Sequence, residues 1–193
     1  MDWGFIADAL NKRIEYSSGM NRIFLLVAMV AMVGCFPTAR HYYRPTSSIG
    51  MAVPMMVNYQ TGPREGLFIN RDWGEIYVNL VSDASVLEIT LYSQEGEPLL
   101  ISPVLEMGIG NVEKITLPVT EPDVLKNYVR GRHWGGGWTR ARYQIPLPAD
   151  NRDTQPEKLI LSSFEVSFKE DQFVTSEIVF RRAFSTYLLP VNY

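Results

Sequence analysis

Cysteine is nearly absent from this 193-residue chain, which has one, Cys35, and histidine is almost as scarce, with His41 and His133 alone. A single thiol cannot close an intrachain disulfide or build a cysteine-rich zinc site, so a folded part must be held by its core. Neither an HExxH helix signature nor a GxSxG elbow occurs, which leaves imidazole-based hydrolysis without its usual partners. Excess charge of one sign is missing too. With 18 Lys and Arg against 21 Asp and Glu, the formal net charge is −3, which speaks against a dedicated nucleic-acid binder, since those present a basic domain. There is no internal repeat and no low-complexity linker. Long apolar runs are confined to one place.

That place is residues 20–35, MNRIFLLVAMVAMVGC. Arg22 precedes an uncharged run from Ile23 to Gly34, the charged start and apolar middle of a secretory signal. A bilayer-spanning helix needs roughly 20 apolar residues, and here polar Thr38, Arg40 and His41 follow soon after Pro37. The run is also apolar all round, unlike the two-faced pattern of a core helix. The segment resembles the lipobox signal of bacterial lipoproteins, with Val33 and Gly34 as the small residues before the cysteine and Met32 in place of the usual leucine. The resemblance implies that Cys35 carries diacylglycerol and becomes the mature N-terminus. Several acyl chains on one residue hold firmly where a single chain binds reversibly. Phe36 rather than Asp follows Cys35, which in a Gram-negative lipoprotein implies sorting to the outer membrane.

Three segments follow from this. Residues 1–34 are the expected signal peptide, with Met20 a second candidate start, because MNR and the apolar run make a compact signal by themselves. Residues 35–50 read as a lipidated tether: FPTARHYYRPTSSIG has two prolines, several hydroxyls and no apolar period. Tyr42 and Tyr43 can alternatively lie at a lipid interface. Residues 51–193 are the expected domain. The leader holds three basic and three acidic residues, so the mature part keeps the charge of −3.

Within that domain the apolar period is two. Ile76, Val78 and Leu80 alternate with Tyr77, Asn79 and Val81, and Leu87, Ile89 and Leu91 alternate with Glu88, Thr90 and Tyr92. Phe164, Val166 and Phe168 repeat the pattern, with residues 173–180 as the expected partner strand and 187–193 as an edge segment limited by Pro190. Strands are also expected over 99–105 and 112–119. Residues 123–130 read as the one short helix. The expected fold is therefore all-β, an antiparallel sandwich with that single helix.

One stretch invites a binding role. No acidic residue occurs between Asp123 and Asp150, and RGRHWGGGWTRAR, residues 130–142, brings Arg130, Arg132, His133, Trp134, Trp138, Arg140 and Arg142 together around three glycines. On a strand, Arg140 and Arg142 would share a face. Guanidinium forks suit carboxylate and phosphate, and indoles suit sugar faces or membrane interfaces. The structural alternative has the tryptophans capping the open end of the core and the arginines solvated at its rim. Asp123 and Ser162 are conceivable companions for His133, but nothing in the sequence links them. Asp150, Asn151 and Asp153 lack the spacing of a calcium loop. No metal or cofactor is expected, and no catalysis. The sequence thus predicts a lipid-anchored envelope protein, on the outer membrane facing the periplasm, that binds a protein partner or an anionic envelope component. A carbohydrate or peptidoglycan-binding lipoprotein is the alternative.

Overall fold

A computed structural model describes residues 35–55, 64–81, 85–110, 113–128, 137–148 and 156–190. The chain divides into a large unit, Arg40–Ser185, and a small one made of Met1–Ala39 and Thr186–Tyr193, whose described residues are the start of the first strand and the end of the last.

The alternating stretches become antiparallel strands in three sheets, in a sandwich-like arrangement. A five-stranded sheet has the order β1 (Cys35–Thr46), β14 (Ile178–Pro190), β11 (Lys158–Leu161), β7 (Val104–Ile109), β8 (Glu113–Pro118). A six-stranded sheet has the order β2 (Met51–Pro54), β3 (Glu65–Arg71), β4 (Gly74–Val81), β5 (Val86–Ser93), β10 (Trp138–Pro146), β9 (Asp123–Tyr128). A small sheet of β13 (Asp171–Val174), β12 (Glu165–Phe168) and β6 (Leu99–Leu100) completes the set.

Period-two patterning decides which side chains meet. Leu67 and Ile69 on β3, Ile76 and Val78 on β4, Leu87, Ile89 and Leu91 on β5, and Tyr143 and Ile145 on β10 are all buried. Leu105, Met107, Leu117, Leu159, Leu161, Ile178 and Phe180 from the five-stranded sheet join the same core. Burying such side chains contributes about 1.5–3 kcal/mol each. Edge strands are protected against further pairing by proline, at Pro45 on β1, Pro54 on β2 and Pro118 on β8.

The small sheet is tied in by polar and aromatic contacts. Leu100 N–H donates to the buried Tyr143 hydroxyl at 3.0 Å, and Phe164 N–H to Thr175 Oγ1 at 2.9 Å. At the β3–β4 turn, Trp73 stacks on Phe168 with centroids 5.3 Å apart, and the Arg71 guanidinium lies 4.2 Å above the Phe173 ring.

Four expectations are corrected. The helix expected at 123–130 is replaced over 123–128 by strand β9, residues 129–130 lie outside the described residues, and no helix occurs among the described residues. Strand β9 is irregular, which breaks the period-two pattern that would mark a strand. Asn127 has φ 57°, and the register against β10 slips between Trp138 and Arg140. Residues 173–180 are not one strand, since β13 pairs with β12 while Ile178 and Phe180 enter β14 in another sheet, and Val174 is 61% exposed. The stretch 99–105 likewise divides between β6 and β7, in different sheets. Finally, 41–46 is no free tether. Tyr43 is buried and donates its hydroxyl to Pro156 O at 2.6 Å, while Arg44 Nε meets Glu65 Oε2 at 2.6 Å.

Candidate functional site

Alternation that buries one face of the six-stranded sheet necessarily turns the other outward. On β10, Thr139, Ala141, Tyr143 and Ile145 go in, so Trp138, Arg140, Arg142 and Gln144 go out. Pairing then sets their neighbours: Arg140 lies opposite Tyr92 and Leu125, Arg142 opposite Thr90 and Asp123, and Trp138 opposite Tyr128. On the far side of β5, Tyr92 faces Glu75 and Thr90 faces Tyr77, which in turn faces Phe68 on β3.

The result is a line of half-buried rings running across the strands. Phe68 and Tyr77 have centroids 5.0 Å apart, Tyr77 and Tyr92 are 5.7 Å apart edge to face, and Tyr92 and Tyr128 are 5.8 Å apart. Between Tyr92 and Tyr128 stands Arg140, its guanidinium carbon 5.1 Å from the Tyr128 centroid. Met51, 63% exposed, lies opposite Phe68, and Leu125, 42% exposed, flanks Arg140.

Both arginines converge on one acceptor. Arg140 Nη2 and Arg142 Nη2 donate to Asp123 Oδ2 at 2.9 and 3.1 Å. The Nε–H groups of both are buried without a hydrogen-bond partner. A buried donor left unmatched costs about 1–3 kcal/mol, so this corner carries two unsatisfied guanidinium donors, and Glu88 on β5 and Glu75 on β4 lie on the same outward face beside Tyr92.

Partial burial shifts the tyrosines. Loss of hydration is the largest effect on Tyr92 and pushes its hydroxyl up to about 12, with Tyr128 reinforcing the rise and Arg140 opposing it. Tyr77 rises for the same reason, then through Tyr92. An unfolded tyrosine ionises near 10. Below that pH both states are neutral and the contribution to stability is complete. Between about 10 and 12 the unfolded chain loses a proton that folded Tyr92 retains, so stability falls as pH rises. Urea midpoints should therefore drop steeply from pH 9 to 11.5, and Tyr92→Phe should flatten that drop.

Of the residues singled out by sequence, the structure brings Trp138, Arg140 and Arg142 onto this face. Trp138 shares the outward parity of the arginines and so does not cap the core. Arg130, Arg132, His133 and Trp134 lie outside the described residues, as do Asp150, Asn151 and Asp153. Cys35 begins β1. Sequence reasoning missed Asp123 as the shared partner and missed Phe68 and Tyr128. The outward positions of Tyr77 and Tyr92 were legible in the alternation; their alignment with Arg140 needs the sheet order. Among the described residues no group of His, Cys, Asp and Glu is placed to hold a metal. A concavity of about 390 Å³ is lined by Leu99, Ile101, Pro103, Val119, Pro122 and Tyr143. It is apolar apart from a few groups and gathers no opposed charges.

No family model, curated protein or solved structure matches this chain.

Proposed function

We propose that the chain is a lipid-anchored protein of the cell envelope, on the outer membrane facing the periplasm, that works without catalysis as a binding or structural subunit of an envelope assembly. The outward face of the six-stranded sheet is its docking surface. The observation that carries this is the composition of the face: Phe68, Tyr77, Tyr92, Tyr128, Trp138, Arg140, Arg142 and Met51. Tyr, Trp, Phe, Met and Arg are the side chains enriched where proteins bind partners, because they combine large apolar area with directed polar groups. The lipobox-like stretch ending at Cys35 supports the mooring. A carbohydrate-binding lipoprotein is the second reading, favoured by rings that follow one another across neighbouring strands.

The test is recovery from detergent-solubilised membranes, with the lipidated N-terminus verified by mass. Arg140→Glu should reduce recovery of the specific partner about tenfold or more, because it removes the Arg140–Asp123 contact and places a second negative charge where an anion would dock. Because the Arg140 side chain is only 14% exposed, the melting temperature should fall as well, and recovery is compared at a temperature where the variant is folded. Undiminished recovery from this variant would move the docking surface elsewhere.

A further inference from the structure

We propose that the hollow beside Tyr143 is a second docking site, made for a short peptide segment of a partner protein in which basic side chains alternate with aliphatic ones. It is separate from the outward face of the six-stranded sheet and does not depend on that face being a docking surface.

Its walls are crossovers between sheets. Residues 99–103 lead from β6 in the small sheet to β7 in the five-stranded sheet, and residues 119–122 lead from β8 to β9 in the six-stranded sheet. Val119 N–H donates to Pro103 O at 3.0 Å and ties the two crossovers together. Pro103 and Pro122 fix their own backbone angles and bring no N–H to the lining. The hollow is therefore formed before anything enters it, which spares a ligand the cost of ordering it. Its volume is about 390 Å³. Pockets of roughly 300–1,000 Å³ enclose small ligands, so this one admits side chains rather than a folded surface.

Three properties select the occupant. The first is apolar surface. Leu99, Ile101 and Val104 are three of the seven large hydrophobic side chains left exposed among the described residues, and they fall in one short segment. Scattered singly such side chains mean little, but gathered around a concavity they mark a contact site.

The second is a hydrogen-bond donor. Tyr143 is buried and its oxygen accepts the Leu100 N–H at 3.0 Å, which leaves its O–H hydrogen without an acceptor among the described residues. A carbonyl entering the hollow supplies one.

The third is charge of one sign. No lysine or arginine occurs between Arg71 and Lys114, or between Lys114 and Lys126, so neither wall carries a base of its own. Glu121 lines the hollow, and Glu97 is close enough to the Tyr143 hydroxyl for its charge to oppose ionisation there. Bases on adjoining segments are already matched: Lys169 meets Glu95 at 3.1 Å, and Arg140 and Arg142 share Asp123. Glu97 and Glu121 have no ion pair among the described residues. An anionic ligand is repelled by such a rim, and a cationic one is drawn to it. An extended peptide offers all three complements in one short length, because successive side chains point to opposite sides: aliphatic groups go down into the hollow, ammonium groups lie up against the rim, and the backbone brings the carbonyl.

The experiment measures fluorescence anisotropy of three labelled peptides, Leu-Lys-Leu-Lys-Leu, Leu-Gln-Leu-Gln-Leu and Leu-Glu-Leu-Glu-Leu. Each is titrated with the full-length chain in phosphatidylcholine nanodiscs, which leave no detergent tail to fill the hollow, and empty nanodiscs serve as the blank. The lysine peptide should bind about tenfold or more tighter than the glutamate peptide, with the glutamine peptide between them. Glu97→Gln and Glu121→Gln should each weaken the lysine peptide about two- to fivefold, the effect of losing an exposed ion pair, and leave the glutamine peptide unchanged. Ile101→Lys changes an exposed position and should keep the parent melting temperature, yet cost the lysine peptide about tenfold or more by removing apolar contact and adding a like charge.

Equal affinity for the three peptides overturns the proposal, as does failure of all three to bind. A preference for the glutamine peptide overturns it in favour of an uncharged apolar occupant. Unchanged binding by Ile101→Lys places the peptide elsewhere and overturns the site. Arg140→Glu, at a temperature where it is folded, should bind the lysine peptide as the parent does; loss of binding there would put the peptide on the sheet face and remove the second site.

Discussion

Gly74→Ala should cost about 3 kcal/mol or more and lower the urea midpoint accordingly, the upper range for adding a single carbon to a packed site. A Cβ on Gly74 would stand 1.9 Å from the Tyr92 carbonyl oxygen and 2.9 Å from its carbon. Both are backbone atoms of the neighbouring strand, so no rotamer change relieves the clash. Relief requires β4 and β5 to separate near the Gly74–Ser93 and Glu75–Tyr92 pairs. Those pairs hold Tyr92 in the line of rings, so the substitution should disturb the proposed docking face in whatever protein still folds. Equilibrium unfolding monitored by tryptophan fluorescence checks the stability; a midpoint within error of the parent would mean the strands are not so closely apposed.

The second large effect is on the opposite sheet. Phe180 on β14 is fully buried and opposite Leu159 on β11. Phe180→Ala should cost about 3–5 kcal/mol, the lost transfer energy plus the cavity left behind. Domains are stable by about 5–15 kcal/mol in total, so much of the protein would unfold at modest temperature. Calorimetry should show a fall of roughly 10 °C or more. Phe184, farther along the same strand and 59% exposed, serves as the control, and Phe184→Ala should change little.

What the sequence made legible depended on how local the cause was. The hairpin of β4 and β5 is specified by strict alternation on both arms, and Ile76, Val78, Leu87, Ile89 and Leu91 are buried as that pattern requires. The stretch 123–128 misled because an edge strand has few buried positions, and a left-handed Asn127 with a bulge interrupts its alternation. The segment around Tyr43 read as a tether because its prolines and hydroxyls are those of an edge strand as much as of a linker; the missing information was that β14 and Pro156 come back to meet it. For the site, Arg140 and Arg142 could be placed on one face by parity alone. Their shared carboxylate could not, because Asp123 reaches them only when β9 lies beside β10, a matter of sheet order. An apparently acid-free cationic window thus becomes a pair of arginines partly compensated by one carboxylate.

The proposed docking role requires the outward face of the six-stranded sheet to be covered in the envelope. Tyrosine footprinting measures this without knowing the partner. In isolated envelopes, Tyr77, Tyr92 and Tyr128 should be labelled several-fold less than in the purified protein, with Tyr42 on β1 labelled equally in both preparations. Equal labelling of the three face tyrosines in both would contradict the account.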